Sequence, residues 1–223
     1  GVESTSGFFP PELAVNKETL GIVKSNYIFV DENAPEPKSG EQMSIAKLDG
    51  KYLLINNRQV GEMFRSYPEK LSVETVVNLI QKSSIVIPAK AGIYTDIDSG
   101  SEFTPPTAGP GMTNEENLIV SANDAELFGH HYAERLQVLA DLLDSKEIKF
   151  ITASEAIDKF SGNVKTLSGI KDSTWQDCQN FDLWNKNILQ EEYLELLKTV
   201  YMLTKGSLEG VAEDLLDQAY SSC

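Results

Sequence analysis

The stretch Gly7-Phe8-Phe9-Pro10-Pro11-Glu12-Leu13 leads through Lys17 to Lys24 into Tyr27-Ile28-Phe29-Val30. Its first part is short, apolar and aromatic, and a proline pair then holds the backbone extended before a turn. Lys17 to Lys24 reads as a helix that Asn16 caps, because a short side-chain oxygen at that position accepts from first-turn N–H groups. Tyr27 to Val30 is apolar and β-branched or aromatic, hence a strand. The order is β-α-β, and it sets the expectation for the rest of the chain: short apolar runs alternating with helix-length amphipathic segments, an α/β layer fold and not a sandwich or a bundle.

Outward from that unit, Met43 to Leu48 and Lys51 to Asn56 flank Asp49-Gly50, the dipeptide that suits a type I′ hairpin turn. Ser72, Glu74 and the apolar set Val73, Val76, Val77 and Ile80 mark a capped helix, followed by the buried run Ile85-Val86-Ile87. Pro88 to Thr113 is rich in Gly, Pro, Ser, Thr and Asp and has no period; it reads either as a functional loop bordering a cleft or as an insertion. Leu118 to Ser121 and Lys149 to Thr152 read as strands, Tyr132 to Leu143 as a helix, and Ser154-Glu155-Ala156 as a helix start. Leu183 to Thr204 and Leu208 to Tyr220 carry helical spacing with no strand between them. The expected division is a β/α portion over 1–160 and a helical region over 161–223.

Composition narrows the class. The chain has 223 residues, 41% hydrophobic and 24% charged, which excludes disordered and fibrous classes. Asp plus Glu is 34 against 19 Lys plus Arg, a formal charge of -15 that repels phosphate backbones and anionic lipid, so neither nucleic acid nor membrane is an expected partner. No apolar run approaches the ~20 residues of a membrane-spanning helix. Cys178 and Cys223 supply neither a disulfide framework nor a cysteine zinc site. The opening Gly1-Val2-Glu3-Ser4 has no Met and reads as a cut or built terminus, so it does not fix the compartment; the cytoplasm is slightly favoured.

Two acids sit where a strand ends and a helix has not begun, the rim at which β/α barrels collect catalytic groups. Glu12 follows Pro10-Pro11, with aromatic Phe9 three residues before it. Asp124 ends Leu118-Ile119-Val120-Ser121-Ala122-Asn123-Asp124, and Ala125-Glu126-Leu127-Phe128-Gly129-His130-His131 follows. Pro-Pro-Glu is also the pattern of a solvated turn with a capping acid, and Asp-x-Glu before Gly that of a strand-end cap. Adjacent His130 and His131 should point to different sides of the chain and lack His-x-x-x-His spacing, so no metal is assigned.

Together these residues resemble glycoside hydrolase family 57. Gly7 to Leu13 is similar to the family's third signature region, an aromatic three residues before a catalytic Glu; Asp124-Ala125-Glu126-Leu127-Phe128-Gly129 is similar to the fourth, Asp-x-Glu-x-Phe-Gly. Order and spacing agree. Ser173-Thr174-Trp175, Trp184 and Asn187 resemble the family's C-terminal helical region. Phe9 and His131 stand where the family commonly has Trp. The family's His-x-His and Gly-x-x-Glu regions would lie upstream, where this chain has eleven residues before Glu12, and its fifth region would begin about where Cys223 stands.

The resemblance therefore implies the second half of a (β/α)7-type barrel of the polysaccharide-deacetylase-like superfamily, followed by a helical region. It implies Glu12 as nucleophile and Asp124 as general acid/base of a retaining enzyme acting on α-glucan or a related oligo- or polysaccharide, with no cofactor. Asp124 would need a raised pKa, with Glu126 as the neighbour that helps raise it. Phe9 and Trp175 are implied sugar platforms, and Glu126, His130 and His131 implied substrate contacts. A half-barrel exposes the edge of its first strand, so a preceding segment or a partner chain is expected to complete it. A non-catalytic carbohydrate-binding or assembly domain on the same fold, and a polysaccharide deacetylase relative, stand as the alternatives.

Overall fold

A computed structural model of the chain describes residues 7–36, 43–65, 71–83, 117–176 and 180–204. Pro88 to Thr113, Ile85 to Ile87, Leu208 to Tyr220 and both cysteines lie outside the described residues. The chain divides into two compact units, Gly1–Trp175 and Gln176–Cys223.

The first unit contains strands β1 (Gly7–Phe8), β2 (Tyr27–Asp31), β3 (Pro35–Glu36), β4 (Ile45–Leu48), β5 (Lys51–Asn56), β6 (Lys165–Thr166) and β7 (Gly169–Ile170). Its helices are α1 (Lys17–Ile22), α2 (Arg58–Arg65), α3 (Val73–Ser83), α4 (Ala133–Asp144) and α5 (Ala153–Phe160). Five strands form one mixed, mostly parallel sheet in the order β1-β2-β5-β4-β6. β1, β2 and β5 run parallel, with Tyr27 opposite Tyr52 and Asp31 opposite Asn56. β4 is antiparallel to β5 and parallel to β6, while β3 and β7 make a separate antiparallel ladder.

Local chemistry accounts for the early elements. Thr19 N–H donates to Asn16 Oδ1 at 2.8 Å, the expected cap of α1. Asp49 and Gly50 both have positive φ, 49° and 82°, as a type I′ turn requires. Alternation along the strands then sorts side chains between two layers. Ile28 and Val30 of β2, with Leu53 and Ile55 of β5, join Val15 and Leu20 in one apolar cluster. Phe29, between them, packs instead with Leu13, Ala122 and Trp175. Val60 and Phe64 of α2 meet Val76 and Val77 of α3 and Leu142 of α4 in a further cluster. Each such fully buried aliphatic side chain contributes about 1.5–3 kcal/mol.

Several expectations need correction. Leu118 to Ser121 is not a full strand: Val120 alone bridges Asn56 in parallel. Antiparallel β4 lies along β5 from Lys51 to Leu54, which leaves only the end of β5 for this segment to meet. Lys149 to Thr152 carries no strand either, because Thr152 is committed to a capping box with Glu155 at the start of α5 and Phe150 is exposed. The helix α2 was not read at all, although Asn57 caps it by accepting from Val60 N–H at 2.9 Å. The first unit runs to Trp175, and within it β6 pairs with β4 and β7 with β3. Two-residue strands leave no periodic signal.

In the second unit, α6 (Asp182–Asn185) and α7 (Ile188–Thr204) fall within the span read as helical. Asn187 Oδ1 accepts from Gln190 N–H at 3.1 Å and so caps α7, and the Phe181 and Trp184 rings meet edge-on at 6.2 Å. Among the described residues, no helix is long and apolar enough to cross a membrane.

Candidate functional site

Because β1, β2 and β5 are parallel, the chain leaves all three at one edge of the sheet. Phe9 to Glu12 follow β1, Glu32 and Asn33 follow β2, and Asn57 and Arg58 follow β5. The parallel bridge between Asn56 and Val120 brings the segment that ends at Asp124 to the same edge. Asn57 N–H donates to Val120 O at 2.7 Å, and Ala122 N–H to Asn56 Oδ1 at 2.9 Å. In α/β folds this carboxyl-end edge is where ligand and catalytic groups gather.

Glu12 is held under backbone strain. It and Leu13 have φ of 55° and 48°, which costs a non-glycine residue on the order of 1–3 kcal/mol where the surroundings enforce it. The surroundings here are a short antiparallel pairing with residues 173–175. Val15 and Ser173 exchange backbone hydrogen bonds at 2.9 and 3.0 Å. The Thr174 hydroxyl and the Trp175 N–H both donate to the Glu12 carbonyl, at 2.7 and 3.0 Å. Trp175 Nε1–H donates to Glu12 Oε2, fixing the carboxylate itself.

Behind that strand lies an ion pair that sequence reasoning missed. Arg58 Nε–H lies 3.0 Å from both oxygens of Asp31, which is wholly buried. Asn33 adds donors from its backbone N–H and side-chain amide, at 3.0 and 2.7 Å. Arg58 Nη2–H then donates to Thr174 O at 2.9 Å, so the pair anchors the same strand that holds Glu12. The signal was a polar run, Asn56-Asn57-Arg58, closing an otherwise apolar strand.

Asp124 is held differently. It is exposed and makes no side-chain cap bond to the turn that follows it. Partial desolvation raises its pKa, and the charges of Glu12 and Glu126 push the same way, while Arg65 and His131 oppose them. Glu12 and Asp124 are thus electrostatically coupled. Arg65, from α2, also went unremarked in the sequence; its guanidinium lies 3.8 Å over the Trp175 ring.

Glu126, His130 and His131 are all exposed beside Asp124. Gly129, at φ 107°, turns the chain back so that His131 N–H donates to Glu126 O at 2.9 Å. His131 Nε2 sits 3.0 Å from Glu126 Oε2 and His130 Nδ1 3.9 Å from it. The two imidazoles do not point apart as expected: they stack at 4.8 Å and 18°, because the turn at Gly129 aims both at one carboxylate. Phe9 is 45% exposed and meets Trp175 edge-on at 6.0 Å. Trp175, implied as a sugar platform, is buried at 3% with Arg65 over its ring and its N–H committed to Glu12; it supports Glu12.

No protein-family model and no curated protein sequence matches the chain. Solved structures do. A crystal structure of a GH57-type branching enzyme from the hyperthermophilic archaeon Pyrococcus horikoshii matches 96% of this chain and 49% of its own, with a TM-score of 0.62 and 15% identity. A GH57 branching enzyme from the hyperthermophilic archaeon Thermococcus kodakaraensis, solved in complex with glucose and additives, matches 96% of this chain and 51% of its own, with a TM-score of 0.55 and 12% identity. The chain therefore shares the fold of GH57-type branching enzymes across nearly its whole length, spanning about half of theirs.

Proposed function

We propose that the chain is the second half of a GH57-type catalytic domain, a (β/α)7-type barrel of the polysaccharide-deacetylase-like superfamily, in a retaining glycoside hydrolase or transglycosylase acting on α-glucan or a related polysaccharide. The observation that carries the reading is the pairing of a fixed Glu12 with an Asp124 whose pKa is raised by burial and by Glu12 itself. A retaining mechanism needs one carboxylate ionised and aimed and the other able to donate a proton, with about 5–5.5 Å between them when substrate is bound, and the upward shift at Asp124 favours the second role. One Glu12 oxygen keeps the Trp175 N–H while the other attacks the anomeric carbon, and Asp124 gives its proton to the departing oxygen. Water or an acceptor hydroxyl then gives its proton to Asp124 and opens the glycosyl ester. Arg65 limits the rise in the Asp124 pKa, so the group returns as a base in that second step. Phe9 offers an exposed ring to an apolar sugar face, and Glu126, His130 and His131 border the approach to Asp124.

Among the described residues β1 is the edge strand, and on this reading a preceding segment or a partner chain would pair with it in the working enzyme. The test uses the chain alone and the polypeptide expressed from its natural gene, assayed on α-glucans and on an activated α-glucosyl fluoride. Turnover is expected from the complete enzyme and little from the chain alone. Glu12→Gln and Asp124→Asn should each lower kcat by about 10²–10⁴-fold, and intact-mass mapping should place a trapped glycosyl ester on Glu12. Turnover indifferent to both substitutions, or glycan binding without turnover in either form, would overturn the catalytic reading; the second result would establish a binding domain.

A further inference from the structure

We propose that Glu126, His130 and His131 form a binding site for one first-row divalent metal ion of the zinc class. Each offers one ligand atom, and all three atoms lie within 4.8 Å of one another. A tetrahedral ion with bonds of about 2.0–2.1 Å separates its ligands by roughly 3.3 Å. His131 Nε2 and Glu126 Oε2 are 3.0 Å apart and His130 Nδ1 and Glu126 Oε2 are 3.9 Å apart, both close to that separation, and the two stacked, exposed imidazoles rotate toward each other to complete the set. The backbone is already folded for it. The η-turn Ala125–Leu127 and the left-handed Gly129 bring residues four and five positions after Glu126 back to its carboxylate.

The donor set selects the ion. Two imidazoles and one carboxylate suit zinc, nickel, cobalt or copper; calcium and magnesium want oxygen ligands and gain little from nitrogen. Side-chain exposures of 65%, 74% and 52% for Glu126, His130 and His131 mean that an ion enters without opening the fold and keeps at least one position for water. These are also the chain's only two histidines, so a single pair of imidazole signals reports on the site. The site borders Asp124, on which Glu126 and His131 act electrostatically, but the metal proposal does not rest on the glycosidase reading.

The experiment is a Zn2+ titration of the untagged 223-residue chain carrying Cys178→Ser and Cys223→Ser, which removes competing thiolates. Calorimetry should give one ion per chain, and the two histidine side-chain NMR signals should shift together at the same stoichiometry. Co2+ added to the metal-free chain should show the d–d bands of a nitrogen–oxygen ligand set and be displaced by Zn2+, whereas a tenfold excess of Ca2+ should displace nothing. Glu126→Gln, His130→Asn and His131→Gln should each weaken binding about tenfold or more, with far-ultraviolet circular dichroism unchanged. Absence of binding, or binding that survives the triple substitution, or a shift of one histidine only, would overturn the proposal.

Discussion

Glu12 and Asp124 share one edge of the sheet, yet the protein holds them by opposite means. Around Glu12 the grip is geometric: a strained backbone, two donors on its carbonyl, an indole N–H on its carboxylate and the Arg58–Asp31 ion pair behind. Around Asp124 it is electrostatic: a side chain at the head of a turn, its pKa raised by partial desolvation and by Glu12 and Glu126 against the opposing charges of Arg65 and His131. On the proposed reading, the nucleophile Glu12 works from one fixed trajectory, and the acid/base Asp124 must change protonation within each cycle. Rigidity suits the first, and a tunable, solvent-facing environment suits the second.

That contrast breaks most visibly at Arg58. Replacing Arg58 with Met leaves the buried Asp31 without its Arg58 counter-ion and held by the Asn33 donors, with an expected loss of up to about 3–5 kcal/mol, read as a fall in the urea midpoint. Adding Asp31→Asn should recover part of it. A loss under 0.5 kcal/mol for Arg58→Met would show that the anchor behind Glu12 is dispensable.

Trp175→Phe asks a narrower question. It keeps an aromatic ring under Arg65 and removes only the donor to Glu12, a hydrogen bond to a charged group with an expected contribution of about 1.5–3 kcal/mol. In the complete enzyme kcat should fall by about tenfold or more, with KM little changed. A change confined to KM would make Trp175 a substrate contact and weaken the distinction between the two carboxylates.

The smallest effect should come from the other side. Asp124 has a folded-state pKa above its ordinary 3.8, so its ionisation opposes folding, and the penalty grows as pH rises through the interval from 3.8 to the folded value. Asp124→Asn should therefore raise Tm slightly at pH 7 and leave it unchanged below pH 3.8, where the native carboxyl is protonated in both states. A drop in Tm at pH 7 would mean that Asp124 makes structural contacts that its exposure denies.

Much of the fold was legible because it is written locally. The Asn16 cap, the Asp49-Gly50 turn, β2, β5, α3 and α4 follow from capping chemistry, positive φ and apolar spacing within a dozen residues. Glu12 after β1 and Asp124 after the bridge at Val120 were legible as candidates from local sequence, and the resemblance carried by Asp124-Ala125-Glu126-Leu127-Phe128-Gly129 named the fold that the comparison with solved structures bears out. Only tertiary structure decided that residues 173–175 return to clamp Glu12, that Arg58 and Asp31 lie behind the clamp, and that Trp175 is a buried support. Those facts depend on pairing between segments more than a hundred positions apart, and no period or cap in a sequence encodes such a partner. His130 and His131 were decided at shorter range: the sequence placed them side by side, and the left-handed turn at Gly129, closed by hydrogen bonds from Gly129 N–H to Tyr132 O and from His131 N–H to Glu126 O, brings both rings to Glu126, a conformation that residue types alone do not fix.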